Sequence, residues 1–166
     1  MSPRWKPSVT VAAVIERDGK FLLIEEHTPE GLRLNNPAGH LDPGESLVQA
    51  CIRETLEETA FTFTPSDLVG IYMSRFQRPL PAAAGSNEAL EDITYLRFAF
   101  CGSLGAWDAC RSLDTGIVRT LWLSPDDVRQ STDRHRSPLL LQCMEDYLRG
   151  QRLPLHSLTT DTSVYR

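Results

Sequence analysis

Residues 39–61 read GHLDPGESLVQACIRETLEETAF, a short loop followed by a segment with helical periodicity. Ser46 is a favourable helix N-cap, and Gln49 three residues later completes a capping box. Apolar residues then recur at i, i+3 and i+4 through Thr59, which predicts an amphipathic helix over residues 46–59. We expect its apolar side to pack on a sheet, because a surface helix buries one side.

Helical spacing divides this segment between two sides. The side predicted to be buried consists of Leu47, Val48, Cys51, Ile52, Thr55, Leu56 and Thr59. The side predicted to be polar consists of Ser46, Gln49, Ala50, Arg53, Glu54, Glu57 and Glu58. The polar side therefore concentrates three carboxylates within one helical turn.

Carboxylates at this spacing repel one another, and the last two also meet the negative end of the helix dipole. A helix optimised for stability alone would carry Lys or Arg there. One interpretation is a solvated acidic surface that Arg53 partly neutralises. The other is a divalent-cation site, because clustered carboxylate oxygens suit Mg²⁺ or Mn²⁺. The spacing of the acids alone leaves both open.

The wider stretch resembles the Nudix box, G-x5-E-x7-R-E-U-x-E-E-x-G-U, in which U is a bulky apolar residue. Six of the seven fixed positions match, namely Gly39, Glu45, Arg53, Glu54, Glu57 and Glu58. Thr55 replaces the apolar U, and Ala60 replaces the closing glycine. A left-handed conformation at Ala60 would cost about 1 kcal/mol, but neither change removes a carboxylate.

The resemblance implies an α/β fold, specifically a Nudix-type α/β/α sandwich with a mixed β-sheet. It also implies hydrolysis of a small phosphoanhydride with Mg²⁺ or Mn²⁺ as cofactor. By position, the implied metal ligands are Glu54, Glu57, Glu58 and the backbone carbonyl of Gly39. Glu54 or Glu57 would also help to deprotonate the attacking water.

Glu45 and Arg53 resemble the pair that orients the catalytic carboxylates. Arg53 would hold them in ligating rotamers through charged hydrogen bonds. His40 follows the box glycine, and its side chain is predicted either to contact a phosphate or to anchor the loop. Arg97 alternates with apolar neighbours in a predicted strand, so it faces either a substrate pocket or solvent.

The resemblance extends over about residues 7–155 and is greatest to bacterial phosphatases of the family. Such enzymes release orthophosphate from nucleoside tri- and diphosphates and from the thiamine-precursor pyrimidine diphosphate, which is the implied substrate class. Two alternatives stay open. One is a house-cleaning pyrophosphohydrolase of damaged nucleotides or of nucleotide sugars. The other is a nucleotide-sensing domain without turnover, which the three intact carboxylates disfavour.

Elsewhere the sequence predicts strands at 9–15, 21–24, 68–73, 93–101 and 117–123. Helices are predicted to begin at Ser124 and to run over 137–148. A Pro/Ala/Gly-rich loop at 79–86 lies in a stretch, 77–92, that matches the family poorly and whose acids either supply a ligand or are simply solvated. Strands and helices do not alternate regularly, which indicates a mixed sheet. The tail, 159–166, is predicted to be frayed.

The chain has 166 residues and a formal net charge of −5, which predicts one domain over 1–166. This acidic balance disfavours a nucleic acid partner. No apolar run suits a signal peptide or a membrane span, so we expect a cytoplasmic protein with reduced cysteines, as monomer or homodimer. A phosphoanhydride substrate would then need bound cations to offset the repulsion.

Overall fold

The structure is a computed structural model that describes residues 4–79 and 90–166. Its strands are β1 (Ser8–Val14), β2 (Glu16–Arg17), β3 (Lys20–Thr28), β4 (Gly31–Asn35), β5 (Ala38–His40), β6 (Phe61–Pro79), β7 (Leu90–Trp107), β8 (Ile117–Leu123) and β9 (Leu153–Pro154). Its α-helices are α1 (Leu47–Thr59), α2 (Pro125–Gln130) and α3 (Leu139–Leu148). Short 3-10 turns cover Thr132–Arg134, Leu155–Ser157 and Thr162–Tyr165.

The strands form two sheets. The first has the order β5-β1-β7-β6-β9, in which β1 runs parallel to β7 and the other pairs are antiparallel. The second is antiparallel and places β3 between β4 and β8, with β2 paired to the start of β3. The predicted mixed sheet is confirmed, and β5 is a strand that the sequence did not predict.

The central strand β1 is covered on both faces. Val11 and Ala13 pack in the apolar cluster that includes residues of α1. Ala12 and Val14 pack in the cluster that includes residues of α2 and α3. Because successive side chains of a strand point to opposite faces, the sheet lies between two helical layers. This arrangement is the predicted α/β/α sandwich, and it explains the continuous apolar run of β1.

Helix α1 begins where the sequence predicts. The Ser46 side chain accepts from the N–H of Gln49, and the Gln49 side chain accepts from the N–H of Ser46, so both halves of the capping box are present. The helix ends at Ala60, which adopts the left-handed conformation at φ 61° and donates its N–H to the carbonyl of Leu56. Alanine therefore takes a conformation in which glycine is ordinarily favoured.

The buried stripe of α1 differs from the predicted one. Ala50 and Glu58 are buried, although both were assigned to the polar side, whereas Ile52 is 36% exposed. The buried stripe is centred on Cys51 and Thr55, and Glu58, two turns after Cys51, lies on the same side. This placement puts Glu58 under the sheet edge instead of in solvent.

The β6–β7 hairpin is much longer than predicted. Its strands pair continuously past the expected limits, with register shifts near Phe63, Pro65 and Leu68. Pro65 lies at one of these register shifts, where a bulge tolerates a residue that cannot donate to the ladder. Residues 77–79 and 90–92 were predicted to be loop and are paired strand ends. The rest of that predicted loop lies outside the described residues.

The C-terminal tail has local structure. The tail predicted to be frayed carries the 3-10 turn Thr162–Tyr165, because the Asp161 side chain caps it by accepting from the N–H of Ser163. All four cysteines are free thiols, as expected. Over residues 4–79 and 90–166, no helix combines the length and apolar character that crossing a bilayer requires.

Candidate active site

The close contact between β5 and α1 builds the site. A Cβ atom at position 39 would lie 2.0 Å from Cδ of Glu54, much less than any allowed contact. Only glycine therefore lets the Glu54 carboxylate reach this strand. The same strand carries Gly39, whose carbonyl is the predicted backbone ligand, and donates the N–H of Ala38 to Glu58 of the acidic helix.

Arg53 connects the other carboxylates. Its Nε and Nη2 donate to the two carboxylate oxygens of Glu45, at 3.0 and 2.6 Å. Its Nη1 donates to Oε1 of Glu54 at 2.7 Å and to Oε2 of Glu57 at 3.1 Å. Its Nη2 also donates to the carbonyl of His40 at 3.0 Å. A bidentate Arg–carboxylate pair has a fixed geometry, so Glu45 fixes the guanidinium that contacts Glu54 and Glu57.

Glu58 is the most enclosed acid of the helix. It is 8% exposed, and its Oε2 accepts from the N–H of Ala38 at 2.7 Å. Burial raises the pKa of Glu58 to about 8; that hydrogen bond opposes the rise, and the nearby negative charges of Glu54 and Glu26 add to it. A bound cation would remove this unfavourable charge accumulation.

Glu45 and Glu54 both accept hydrogen bonds from Arg53, but their pKa values shift in opposite directions. Burial raises the pKa of Glu54, while Arg53 opposes the rise. Hydrogen bonds from Arg53 lower the pKa of Glu45, which is an ordinary paired carboxylate. The pKa of Glu54 is raised, as that of Glu58 is, because Arg53 only partly compensates for the burial of the Glu54 charge.

The residues fit a divalent cation by chemistry, since Glu54, Glu57, Glu58 and the Gly39 carbonyl offer hard oxygen donors. Within residues 4–79 and 90–166, no three acidic, His or Cys side chains already converge as a metal site. The cause is visible in the hydrogen bonds. Glu54 and Glu57 turn toward Nη1 of Arg53, and Glu58 accepts from Ala38. The oxygen ligands that a cation would need are present, and their carboxylates accept hydrogen bonds from Arg53 and Ala38.

A cavity of about 630 Å³ opens beside these carboxylates. Gly39, Glu54 and Glu58 form part of its wall, together with the side chains of His40 and Arg97. Its wall does not include Glu45, Arg53 or Glu57. The structure therefore separates the predicted residues into a group that faces the cavity and a group that supports it.

The two predicted substrate-binding residues both line the cavity. The His40 side chain is exposed, its ring centroid lies 6.1 Å from that of Tyr95, and its carbonyl oxygen is bonded to Arg53. Arg97 is 9% exposed, and its Nε and Nη1 have no hydrogen-bond partner. Burial lowers the pKa of Arg97. Of the two placements that the sequence left open for Arg97, the structure shows the pocket.

Sequence reasoning missed other residues of the cavity wall. Glu26 of β3 accepts from Nη1 of Arg136 and from Nδ2 of Asn35, the latter at 3.3 Å. Thr10 of β1 also contributes to the wall. One signal was present in the sequence. Glu25 and Glu26 directly follow the apolar run of β3, and carboxylates that become buried need partners.

Comparison with known proteins matches the whole of this architecture. The family model described as NUDIX domain matches residues 4–143. The Escherichia coli protein named phosphatase NudJ is 34% identical over 154 residues, which cover 93% of this chain and 92% of that protein. The Shigella flexneri protein of the same name matches equally well.

Solved structures agree with these matches. A NUDIX hydrolase from Nitrosomonas europaea is 50% identical, has a TM-score of 0.80, and aligns over 94% of this chain and 98% of that one. A MutT NUDIX hydrolase from Burkholderia pseudomallei is 21% identical with a TM-score of 0.64, over 86% and 98% of the two chains, and it supports the fold alone. Since the matched region contains the whole box and the cavity residues through Leu139, this chain belongs to the Nudix family and is a hydrolase.

Proposed function

We propose that this enzyme uses Mg²⁺ or Mn²⁺ to hydrolyse nucleoside di- and triphosphates or other small diphosphate compounds, with release of orthophosphate. The observation that carries the proposal is the position of Glu54 and Glu58. Both are carboxylates with raised pKa, both line the 630 Å³ cavity, and Arg97 lines the same cavity. Such a wall can hold a cation on one side and phosphoryl oxygens on the other.

The metal would be held by Glu54, Glu57, Glu58 and the carbonyl of Gly39. When bound, a divalent cation polarises a phosphoryl oxygen and lowers the pKa of a bound water. Arg53 orients Glu54 and Glu57 through its hydrogen bonds from Nη1, and Glu45 keeps Arg53 in place through two hydrogen bonds. Arg53 and Glu45 thus act as positioning residues.

Glu54 is the general base that the geometry favours over Glu57. Glu54 lines the cavity and Glu57 does not. Arg53 donates to Oε1 of Glu54, so we assign Oε2 to receive the proton of the attacking water. Burial raises the pKa of Glu54, which moves its proton affinity toward the neutral range where a general base is most effective.

The assignment of orthophosphate as product rests on the curated relatives, which are named phosphatases at 34% identity. The wider resemblance supports nucleoside tri- and diphosphates as substrates and extends to the thiamine-precursor pyrimidine diphosphate. The cavity volume suits a ligand of nucleotide size.

A substrate panel tests this proposal. Nucleoside di- and triphosphates, the pyrimidine diphosphate, oxidised deoxynucleotides and nucleotide sugars are each assayed with Mg²⁺ and with Mn²⁺, and orthophosphate and pyrophosphate are quantified separately. Orthophosphate from a nucleoside diphosphate supports the proposal. Pyrophosphate from a triphosphate would instead indicate the house-cleaning class, and a ligand-induced thermal shift without any product would indicate a nucleotide sensor.

A further inference from the structure

Arg97 is a buried cation whose charge is not matched by a hydrogen-bonded acid. The guanidinium stays protonated at all accessible pH values, and burying an ionised group without a partner is unfavourable. Two of its three nitrogens have no acceptor. The folded protein therefore leaves two N–H groups of Arg97 free to donate hydrogen bonds to a bound ligand.

The ion-paired arginines of the described chain differ from Arg97. Seven arginines form ion pairs with carboxylates within 4.0 Å: Arg53, Arg75, Arg119, Arg129, Arg134, Arg136 and Arg149. Each of these side chains is at least 27% exposed. Arg97 combines the deepest burial with unused donors, which is the reverse of what stability alone would favour.

The surroundings of Arg97 are suited to an anion. Thr10 pairs with Arg97 across β1 and β7, and its buried Oγ1 also has no partner. Arg136 faces the same cavity, and Glu26 neutralises it through their ion pair. The nearest acid is thus already engaged. Arg97 and Thr10 therefore present unused polar atoms on the cavity wall.

We propose that Arg97 and Thr10 form a subsite for a phosphoryl group of the substrate, distinct from the phosphoryl group at the carboxylates. A phosphate offers a negative charge for Arg97 and an acceptor oxygen for the hydroxyl of Thr10. This inference rests on the proposed function for the identity of the ligand. It names the two residues that would hold the second phosphoryl group of a diphosphate substrate.

Arg97→Met is the principal test, because Met retains most of the side-chain volume without charge. Arg129→Met is the matched control, since Arg129 lies on α2 outside the cavity and pairs with Asp126 and Glu145. Melting temperatures are measured in EDTA with and without inorganic phosphate. We expect Arg97→Met to melt at or above the wild-type temperature without ligand and to lose the shift that phosphate causes. The control keeps the shift.

A second readout separates substrate phosphate from free phosphate. The KM of Arg97→Met for a nucleoside diphosphate is expected to rise about tenfold or more, the usual effect of losing a hydrogen bond to a charged group. Loss of the phosphate shift with an unchanged KM would indicate a site for free phosphate and would overturn the assignment. A retained phosphate shift would overturn it as well.

If Arg97→Met does not fold, Thr10→Val provides a second test of the subsite. Val matches Thr in shape, and the hydroxyl it removes has no partner. We expect a normal melting temperature and a several-fold weaker response to phosphate, and a full response would contradict the subsite. If no turnover occurs but a nucleoside diphosphate raises the melting temperature of wild type and not of Arg97→Met, the proposed function fails and the subsite stands. If turnover occurs with equal KM in wild type and Arg97→Met, the proposed function stands and the subsite fails.

Discussion

The N–H of Ala38 donates a 2.7 Å hydrogen bond to Oε2 of Glu58, which joins the loop strand β5 to the acidic helix α1. One residue later, Gly39 leaves room for the carboxylate of Glu54. Two successive backbone positions therefore adjoin the two α1 carboxylates that line the cavity. The precision of the site depends on this short strand as much as on the helix.

Gly39→Ala is expected to displace Glu54. A methyl group 2.0 Å from the Glu54 carboxyl carbon requires that carboxylate to move, and because it is the end of a flexible side chain we expect a loss of about 1 kcal/mol of unfolding free energy, the low end for overpacking. Urea denaturation measures this loss, and turnover is expected to fall with it. The double variant Gly39→Ala/Glu54→Ala should recover part of the stability, because the clash is removed. Additive losses would show that the two positions do not interact.

The pH dependence of the metal-free enzyme should carry the signature of Glu58. Its pKa is raised to about 8 in the folded state, so the unfolded state ionises first as pH rises from its model value of 4.5. The folded state therefore binds more protons in this window, and its stability falls between about pH 4.5 and 8. Urea denaturation in EDTA at several pH values checks this, with Glu58→Gln as the variant that should lose most of the decline. An equally steep decline in Glu58→Gln would assign it to other groups.

The orienting role of Glu45 predicts an indirect effect. Glu45→Gln removes the charge from both hydrogen bonds that fix Arg53, so the Mn²⁺ concentration for half-maximal activity should rise about 10–100-fold. Saturating metal should restore much of kcat, since Glu54, Glu57 and Glu58 remain. A variant that stays inactive at saturating Mn²⁺ would show that Glu45 takes a direct part in the reaction.

Ala60→Gly is expected to stabilise the fold. Ala60 has φ 61°, and glycine relieves about 1 kcal/mol of left-handed strain there, partly offset by the greater entropy of the unfolded chain. Asp18 is the other non-glycine residue at positive φ within the described residues, at 53°. Asp18→Gly is the matched control and should gain less, because Asp tolerates this conformation. Thermal unfolding compares the two, and a loss of stability in Ala60→Gly would contradict the strain.

The sequence predicted the parts that local rules determine. Helix α1 followed from its capping box and periodicity, and the mixed sheet followed from the irregular order of strands and helices. The closeness of Gly39 to Glu54 was implied by the family resemblance and has a steric basis in the structure.

Long-range contacts account for what sequence reasoning missed. Arg136 pairs with Glu26 across 110 residues of chain, and no local pattern connects them. Ala50 and Glu58 are buried because the sheet edge covers more of α1 than an amphipathic pattern indicates. The length of β6 depends on its pairing with β7, which continues past a bulge at Pro65.

The most direct test of the central claim is orthophosphate release by wild type, Glu54→Gln and Glu58→Gln at saturating Mg²⁺ and Mn²⁺. Each substitution preserves the shape of the side chain and removes one charge from the metal-binding set. We predict no turnover by wild type in EDTA, and at least a hundredfold lower rate in both variants, about 3 kcal/mol or more in activation free energy. Full phosphate release by both variants at saturating metal would contradict the account.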